Sequence, residues 1–239
     1  FLLKIKLKDK NKKLLVNNFF SYNNIGDKMF IAHRGNDNHN YLENSEKAIL
    51  NCLDRQYISG IECDIRLTQD NNIVLSHNML IDFKSNGKGF IHNLTLEELL
   101  SYDFSGEKIT VLKDMLSKIN NKKILLLEIK EEKVNMIDNW IYALEPILRM
   151  YNYLNIYLCS FNYELIKTIK ERFDIPIGLI IGYKMNKEKD TLSFDFLMYQ
   201  YKSFKYNHKK TFVWTINDKD KMIKFKDKTD YIITDNAYK

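Results

Sequence analysis

Short apolar runs rich in β-branched residues recur along the chain from residue 29 onward. They fall at 29–33, 60–65, 123–129, 155–160, 176–181, 194–199, 211–216 and 230–234, and each reads as a strand. Between most of them lie stretches with apolar residues at helical spacing, such as NSEKAILNCLDRQY, VNMIDNWIYALEPILRMY and NYELIKTIKERF. Asn44, Asn162 and Asp218 stand where such helices should begin and suit N-caps. Strands alternating with helices predict a parallel sheet, and eight is the number that closes a barrel. The expected fold is therefore α/β, a (β/α)8 TIM-type barrel.

One run breaks the rhythm. NIVLSH (72–77) starts only a few residues after Asp64, whereas a parallel neighbour needs a crossover of about a dozen residues. Residues 66–77 are thus expected to form a hairpin excursion after the second barrel strand, carrying His77 back over the barrel mouth. Segment 78–122 then holds a loop and two helices, TLEELLSY and VLKDMLSKI. Residues 1–28 are polar and rich in Lys and Asn, and read as an N-terminal extension to a barrel domain at 29–239.

The 239 residues suit a single barrel, and 45% hydrophobic residues suffice for its core. The net charge of +6 comes from scattered rather than clustered Lys and Arg. That excludes a nucleic-acid footprint and mildly favours an anionic substrate. Cys52, Cys63 and Cys159 lie in apolar contexts and read as core thiols in a reducing compartment, so a cytoplasmic location is expected. There is no membrane-spanning run, and lysines break FLLKIKLKDK too often for a signal peptide.

The period of two also places chemistry. Glu62 and Asp64, in GIECDIRLTQD, share one strand face, and Cys63 between them must point toward the helices. Glu128 and Lys130, in ILLLEIK, repeat the arrangement on the next barrel strand. Barrel enzymes build their sites at such C-terminal strand ends. Three converging carboxylates suit a hard divalent cation, which prefers oxygen ligands. The competing reading is buried ion pairs, Glu128 with Lys130 or Glu62 with Arg66. His33 ends the first strand and His77 ends the hairpin. Two imidazoles titrating near neutrality can supply a general acid and a general base across a phosphorus centre. Arg34 offers a fork for phosphate oxygens, or an ion pair with Glu43. Glu43 and Asn44 either open the first helix or hydrogen-bond around the site. Trp214 either packs a substrate's carbon skeleton at the mouth or fills the core.

Together AHRG (32–35), EN (43–44), GIECDIRLTQDNNIVLSH (60–77), LLEIK (126–130), SF (160–161), VWTIN (213–217) and YIITD (231–235) resemble, in order and spacing, the glycerophosphodiester phosphodiesterase family over residues 29–239. The resemblance implies a TIM-type barrel with one divalent cation, Mg2+ or Ca2+. It implies cleavage of glycerophosphodiesters to glycerol 3-phosphate and an alcohol, in phospholipid breakdown. It implies His33 and His77 as the acid–base pair, Glu62, Asp64 and Glu128 as metal ligands, and Arg34 and Lys130 as phosphate-binding residues. The chain departs from the family pattern at Leu42 and Ala237, where Pro is usual, and at Asn78, where Asp is usual. Asn78 removes a carboxylate that would orient His77.

Two rival readings stay open at this point. A lysophospholipase D or ring-closing phospholipid phosphotransferase on the same barrel would need an apolar groove near the mouth, with Phe83, Phe90 and Trp214 as candidates. The short segment after His77 favours an open mouth that admits a bulkier diester. A barrel that binds phosphate ligands without catalysis is the other, and retention of both histidines and all three carboxylates argues against it. The expected partner is a small-molecule glycerophosphodiester, with at most transient contact with a lipid surface.

Overall fold

The computed structural model describes residues 29–37, 41–120, 122–131, 134–183 and 191–237. The lead at 1–28 and His39 lie outside the described residues. Among those described, eight parallel strands close into a barrel: β1 (Phe30–Ala32), β2 (Ile58–Leu67), β4 (Ile124–Ile129), β5 (Asn155–Ser160), β6 (Ile177–Ile181), β7 (Phe196–Gln200), β8 (Lys210–Trp214) and β9 (Tyr231–Thr234). Closure is made by β1, which pairs with β9 on one side and β2 on the other. The short β3 (Ile73–Leu75) runs antiparallel to the end of β2, with Ile65 opposite Leu75 and Leu67 opposite Ile73. That is the expected hairpin, and it brings His77 back beside the strand ends.

Strand alternation divides the core in two. On β4, Leu125, Leu127 and Ile129 face outward and pack with Cys63, Ile61 and Ile65 of β2 under the helices. Ile124 and Leu126 face inward, joining Tyr157, Phe196, Met198 and Phe212 in the barrel interior. The inward face of these two strands also carries Gly60, Glu62, Asp64, Arg66 and Glu128. Rings fill the interior toward the N-terminal strand ends: Phe196 and Phe212 lie 5.1 Å apart, and Phe212 stacks on Tyr231 at 4.7 Å. Room for them comes from Gly178, where a Cβ would lie 2.2 Å from the Phe196 ring.

Helices α1 (Glu46–Leu53), α2 (Leu96–Ser101), α3 (Leu112–Ser117), α4 (Ile137–Met150), α5 (Tyr163–Arg172) and α6 (Lys219–Phe225) complete the described elements. Asn162 and Asp218 cap α5 and α6, accepting from Leu165 N and Lys221 N. The expectation for Asn44 is corrected: Ser45 caps α1, accepting from Ala48 N at 3.2 Å. Asn44 has φ 59, incompatible with the extended backbone an N-cap uses. The segment from Val74 to Ile109 is a folded unit. Ile81 N donates to Gly89 O and Ile91 N to Met79 O, and Val74, Ile81, Ile91, Leu99, Phe104 and Ile109 form a small core of their own. Cys52, Cys63 and Cys159 are buried free thiols. No helix among the described residues is long and apolar enough to cross a membrane.

Candidate active site

The inward carboxylates of β2 and β4 meet at the C-terminal end of the barrel. Glu62, Asp64 and Glu128 are all buried, and each offers an oxygen within 4.8 Å of the others. Lys130, just past β4, reaches Glu128 at 2.6 Å and Asp64 at 3.1 Å. The Glu128–Lys130 ion pair foreseen as an alternative therefore exists. The Glu62–Arg66 pair does not form, because Arg66 spends its guanidinium on the carbonyls of His77 and Lys130. It thereby ties the hairpin to the β4 loop.

Glu62 is left in a different position from its neighbours. Its Oε2 accepts from Arg34 N at 3.0 Å, while Oε1 is buried and meets no hydrogen-bond donor among the described residues. Burial, reinforced by the Asp64 charge, pushes its pKa up to about 8. Burial also raises Glu128 to about 7, with Lys130 opposing and Asp64 assisting. Asp64 goes the other way despite burial, because Lys130, His77, the Asn44 hydrogen bond and Arg34 favour its charged form. A cation beside this buried pair of carboxylates, one with an oxygen that meets no donor among the described residues, would favour their charged forms. The all-oxygen donor set fits a divalent cation of the hard type.

The first βα loop supplies the flanking groups. His33, Arg34 and Gly35 form a single 3-10 turn after β1, with Arg34 at φ 53. This sparsely populated conformation aims its N–H at Glu62. Gly35 is needed because any Cβ there would lie 2.3 Å from Ile49 Cγ1 at φ 64. The Arg34 side chain pairs with Glu43 at 2.9 Å and approaches Asp64 at 3.6 Å. Asn44 clamps Asp64 twice: its Nδ2 donates to Oδ2 at 2.9 Å, and its Oδ1 accepts from Asp64 N at 3.0 Å. Of the two sequence readings for Asn44, the geometry matches hydrogen bonding around the site.

The two histidines face the cluster from opposite sides of the chain's order. His33 Nδ1 donates to Asp235 Oδ1 at 2.7 Å, and its Nε2 lies 3.9 Å from Glu62. Asp235 is itself fixed by Asn217, whose Nδ2 donates to Oδ2 and whose Oδ1 accepts from Asp235 N. Burial disfavours the imidazolium, but the Asp235 hydrogen bond and the Glu62 and Asp235 charges outweigh it, and the His33 pKa is raised. His77 Nδ1 lies 3.2 Å from Asn78 Oδ1, an acceptor that holds the proton on Nδ1 and leaves Nε2 free to accept. Burial, with help from Lys130 and Arg34, lowers its pKa against the pull of Asp64.

Sequence reasoning assigned no role to Asp235 or Asn217, although both lie in quoted motifs at barrel strand ends. Trp214 packs edge-on against Phe161 and on the interior ring cluster. A cleft of about 590 Å3 also opens at the N-terminal strand ends near Pro176 and Lys210. There Lys170 pairs with Asp195 and Lys210 donates to the Tyr157 hydroxyl, and barrel chemistry belongs to the opposite face.

The C-terminal mouth of the barrel gathers three buried carboxylates, two cationic side chains and two oriented imidazoles, a set whose chemistry suits the class of phosphate-ester hydrolases. Residues 33–239 match the model of the glycerophosphoryl diester phosphodiesterase family, and the chain belongs to that family. It is accordingly a phosphoric diester hydrolase that acts on glycerophosphodiesters. It is 29% identical over 231 residues to a glycerophosphodiester phosphodiesterase of Caldanaerobacter subterraneus, covering 87% of this chain and 94% of the relative. It is 29% identical over 157 residues to glycerophosphodiester phosphodiesterase 1 of Homo sapiens, covering 59% of this chain and 45% of the relative. A glycerophosphodiester phosphodiesterase structure from Thermotoga maritima superposes with a TM-score of 0.73 at 24% identity, covering 87% of this chain and 95% of that one. An Oleispira antarctica phosphodiesterase, solved with its product sn-glycerol-3-phosphate, gives 0.73 at 20% identity, covering 87% and 92%.

Proposed function

We propose that the chain hydrolyses glycerophosphodiesters to glycerol 3-phosphate and an alcohol with one divalent cation, Mg2+ or Ca2+, held by Glu62, Asp64 and Glu128. The observation that carries this reading is the buried Oε1 of Glu62, which meets no hydrogen-bond donor among the described residues, within a triad of carboxylates. A cation bound there supplies Lewis-acid polarisation of a phosphoryl oxygen. Arg34 and Lys130 bind the remaining phosphate oxygens, and Glu43 and Asn44 keep Arg34 and Asp64 in place. His77, neutral with Nε2 unprotonated, takes a proton from the attacking oxygen, which is water or a glycerol hydroxyl next to the phosphate whose cyclic phosphate product water then opens. His33, kept protonated by Asp235, gives one to the departing alkoxide. Trp214 bounds the mouth behind Phe161. A cytoplasmic setting agrees with the three free thiols.

The test is turnover of glycerophosphocholine with and without EDTA, alongside calorimetric titration with Mg2+ and Ca2+. Glu62→Gln and Asp64→Asn should each lower activity by orders of magnitude and weaken cation binding, with the melting transition kept. Unchanged cation affinity in both variants would remove these residues from the ligand set.

A further inference from the structure

His33 and Asp235 lie 202 positions apart, and only the pairing of β1 with β9 brings them together. A second bond crosses the same seam. Ala237 N donates to Asp37 Oδ1 at 2.8 Å, in surroundings that leave Asp37 1% and Ala237 6% exposed. Asp37 follows directly on the turn that carries His33, which Asn36 N closes on His33 O at 3.0 Å.

The Asp37 carboxylate is itself fixed. Its Oδ2 accepts from Arg55 Nη1 at 2.6 Å and from the Tyr57 hydroxyl at 2.9 Å. Arg55 is anchored in turn on Asn51 Oδ1 at 2.7 Å. Arg55 and Tyr57 belong to the link between α1 and β2. A buried carboxylate is costly unless donors surround it, and here donors meet both oxygens. With Oδ2 bound to the α1–β2 link, Oδ1 is directed at Ala237. A hydrogen bond from a backbone N–H is stronger when its acceptor is charged. The bond also depends on this chain's own sequence. A proline at 237, usual in the family, has no N–H to give.

The consequence falls on Asp235. It stands between Thr234, at the end of β9, and Ala237, held on Asp37. Asn236 N, on Thr234 Oγ1 at 3.0 Å, makes the turn between them. Release of Ala237 lets residues 235–237 pivot about the end of β9 and carries the Asp235 carboxylate off His33 Nδ1. The bonds of the Asp37 carboxylate run to Arg55, Tyr57 and Ala237, and to no member of the Glu62, Asp64 and Glu128 triad.

We propose that Asp37 is a positioning residue: through Ala237 it holds Asp235 against His33, in the orientation that proton transfer to the leaving alkoxide requires. The proposal rests on His33 being the acid and adds the group that aligns it. In that step the P–O bond to the alcohol breaks, its electron pair stays on the oxygen, and the oxygen takes the proton of His33 Nε2. A nitrophenolate leaves without that proton, so the alignment of His33 matters to an alcohol and not to a nitrophenol.

The experiment measures kcat and KM for glycerophosphocholine and for the p-nitrophenyl ester of glycerol 3-phosphate. Asp37→Ala should lower kcat for glycerophosphocholine by about 10- to 100-fold with KM kept. The ratio of the two kcat values should fall by the same factor, whereas a merely structural role lowers both alike. In an Asp235→Asn background the substitution should add no further loss to that ratio. The pair Asp37→Ala/Arg55→Ala, which leaves no uncompensated charge to oppose folding, should give the same ratio as Asp37→Ala. Hydrogen exchange at residues 235–237 should quicken in both variants while β9 keeps its protection. A ratio that Asp235→Asn moves and Asp37→Ala does not overturns the proposal. So do losses that add to those of Asp235→Asn, unchanged exchange at 235–237, or an equal fall of the ratio in Gly178→Ala, which strains the ring layer instead. If His33→Ala and Asp235→Asn leave the ratio unmoved while exchange still quickens in Asp37→Ala, the tether stands and the assignment of His33 as the acid falls.

Discussion

The imidazole of His77 is held by an amide, Asn78, where a carboxylate would add charge. Burial disfavours the charged form of both histidines, and their neighbours decide the outcome. His33, on a carboxylate, has its pKa raised, and His77, on a neutral acceptor near Lys130 and Arg34, has its pKa lowered. With His77 as base and His33 as acid, the acidic limb of the kcat/KM profile falls below pH 6.5 and the alkaline limb above it. Asn78→Asp places a negative charge beside His77 Nδ1, stabilises the imidazolium and moves the acidic limb to higher pH. Asp235→Asn removes the charge that favours the His33 imidazolium and moves the alkaline limb to lower pH, with activity down by about 10²–10⁴. A pH–rate series on the two variants checks both directions, and an unmoved limb in either returns that partner to a structural role. The histidines, carboxylates and Lys130 were legible because each interrupts an apolar run at a strand end. Asp235 and Asn217 were not, because an Asp or Asn after a strand is ordinary turn chemistry. Only barrel closure brings residue 235 beside residue 33.

Among the elements, the strands were legible to within a few residues because alternation on a closed barrel is enforced at every position. The cap of α1 was not. Asn44 and Ser45 are both good N-cap residues, and local preference cannot rank them. Asn44 is drawn away by two hydrogen bonds to Asp64, a contact between the loop after β1 and the neighbouring strand β2. The interior glycines are similar. In the sequence Gly178 reads as a weak point in strand β6, yet the Phe196 ring occupies the space a side chain would take. Gly178→Ala should therefore cost about 1–3 kcal/mol by overpacking. Thermal melts should show Tm several degrees lower, with an unchanged response to added cation, since the ring layer lies toward the other strand ends. An unaltered Tm would mean that the Phe196 ring yields without cost.

At the scale of the whole molecule, the site opposes the fold when no cation is bound. Glu62 and Glu128 have folded pKa values of about 8 and about 7, against an ordinary value near 4.5. Between those limits the folded chain binds more protons than the unfolded chain, so stability falls as pH rises through that window. His33, with its pKa raised, adds to the fall above pH 6.5, and His77, with its pKa lowered, offsets part of it below pH 6.5. Asp64, whose pKa is lowered, acts only below pH 4 and does not enter. A divalent cation held by the triad, as proposed, would reverse the trend by binding the ionised carboxylates of the folded state alone and stabilising by mass action. Melts in EDTA should therefore show Tm declining from pH 5.5 to pH 8. Melts in Mg2+ or Ca2+ should run higher, with a gap that widens as pH rises. Titration at pH 7 in two buffers of different ionisation enthalpy should record release of on the order of one proton per cation bound. A Tm in EDTA that holds level across this range, with no proton released, would mean that the carboxylates are already ionised and balanced by Lys130 and Arg34. The triad would then be a set of buried ion pairs and not a cation site.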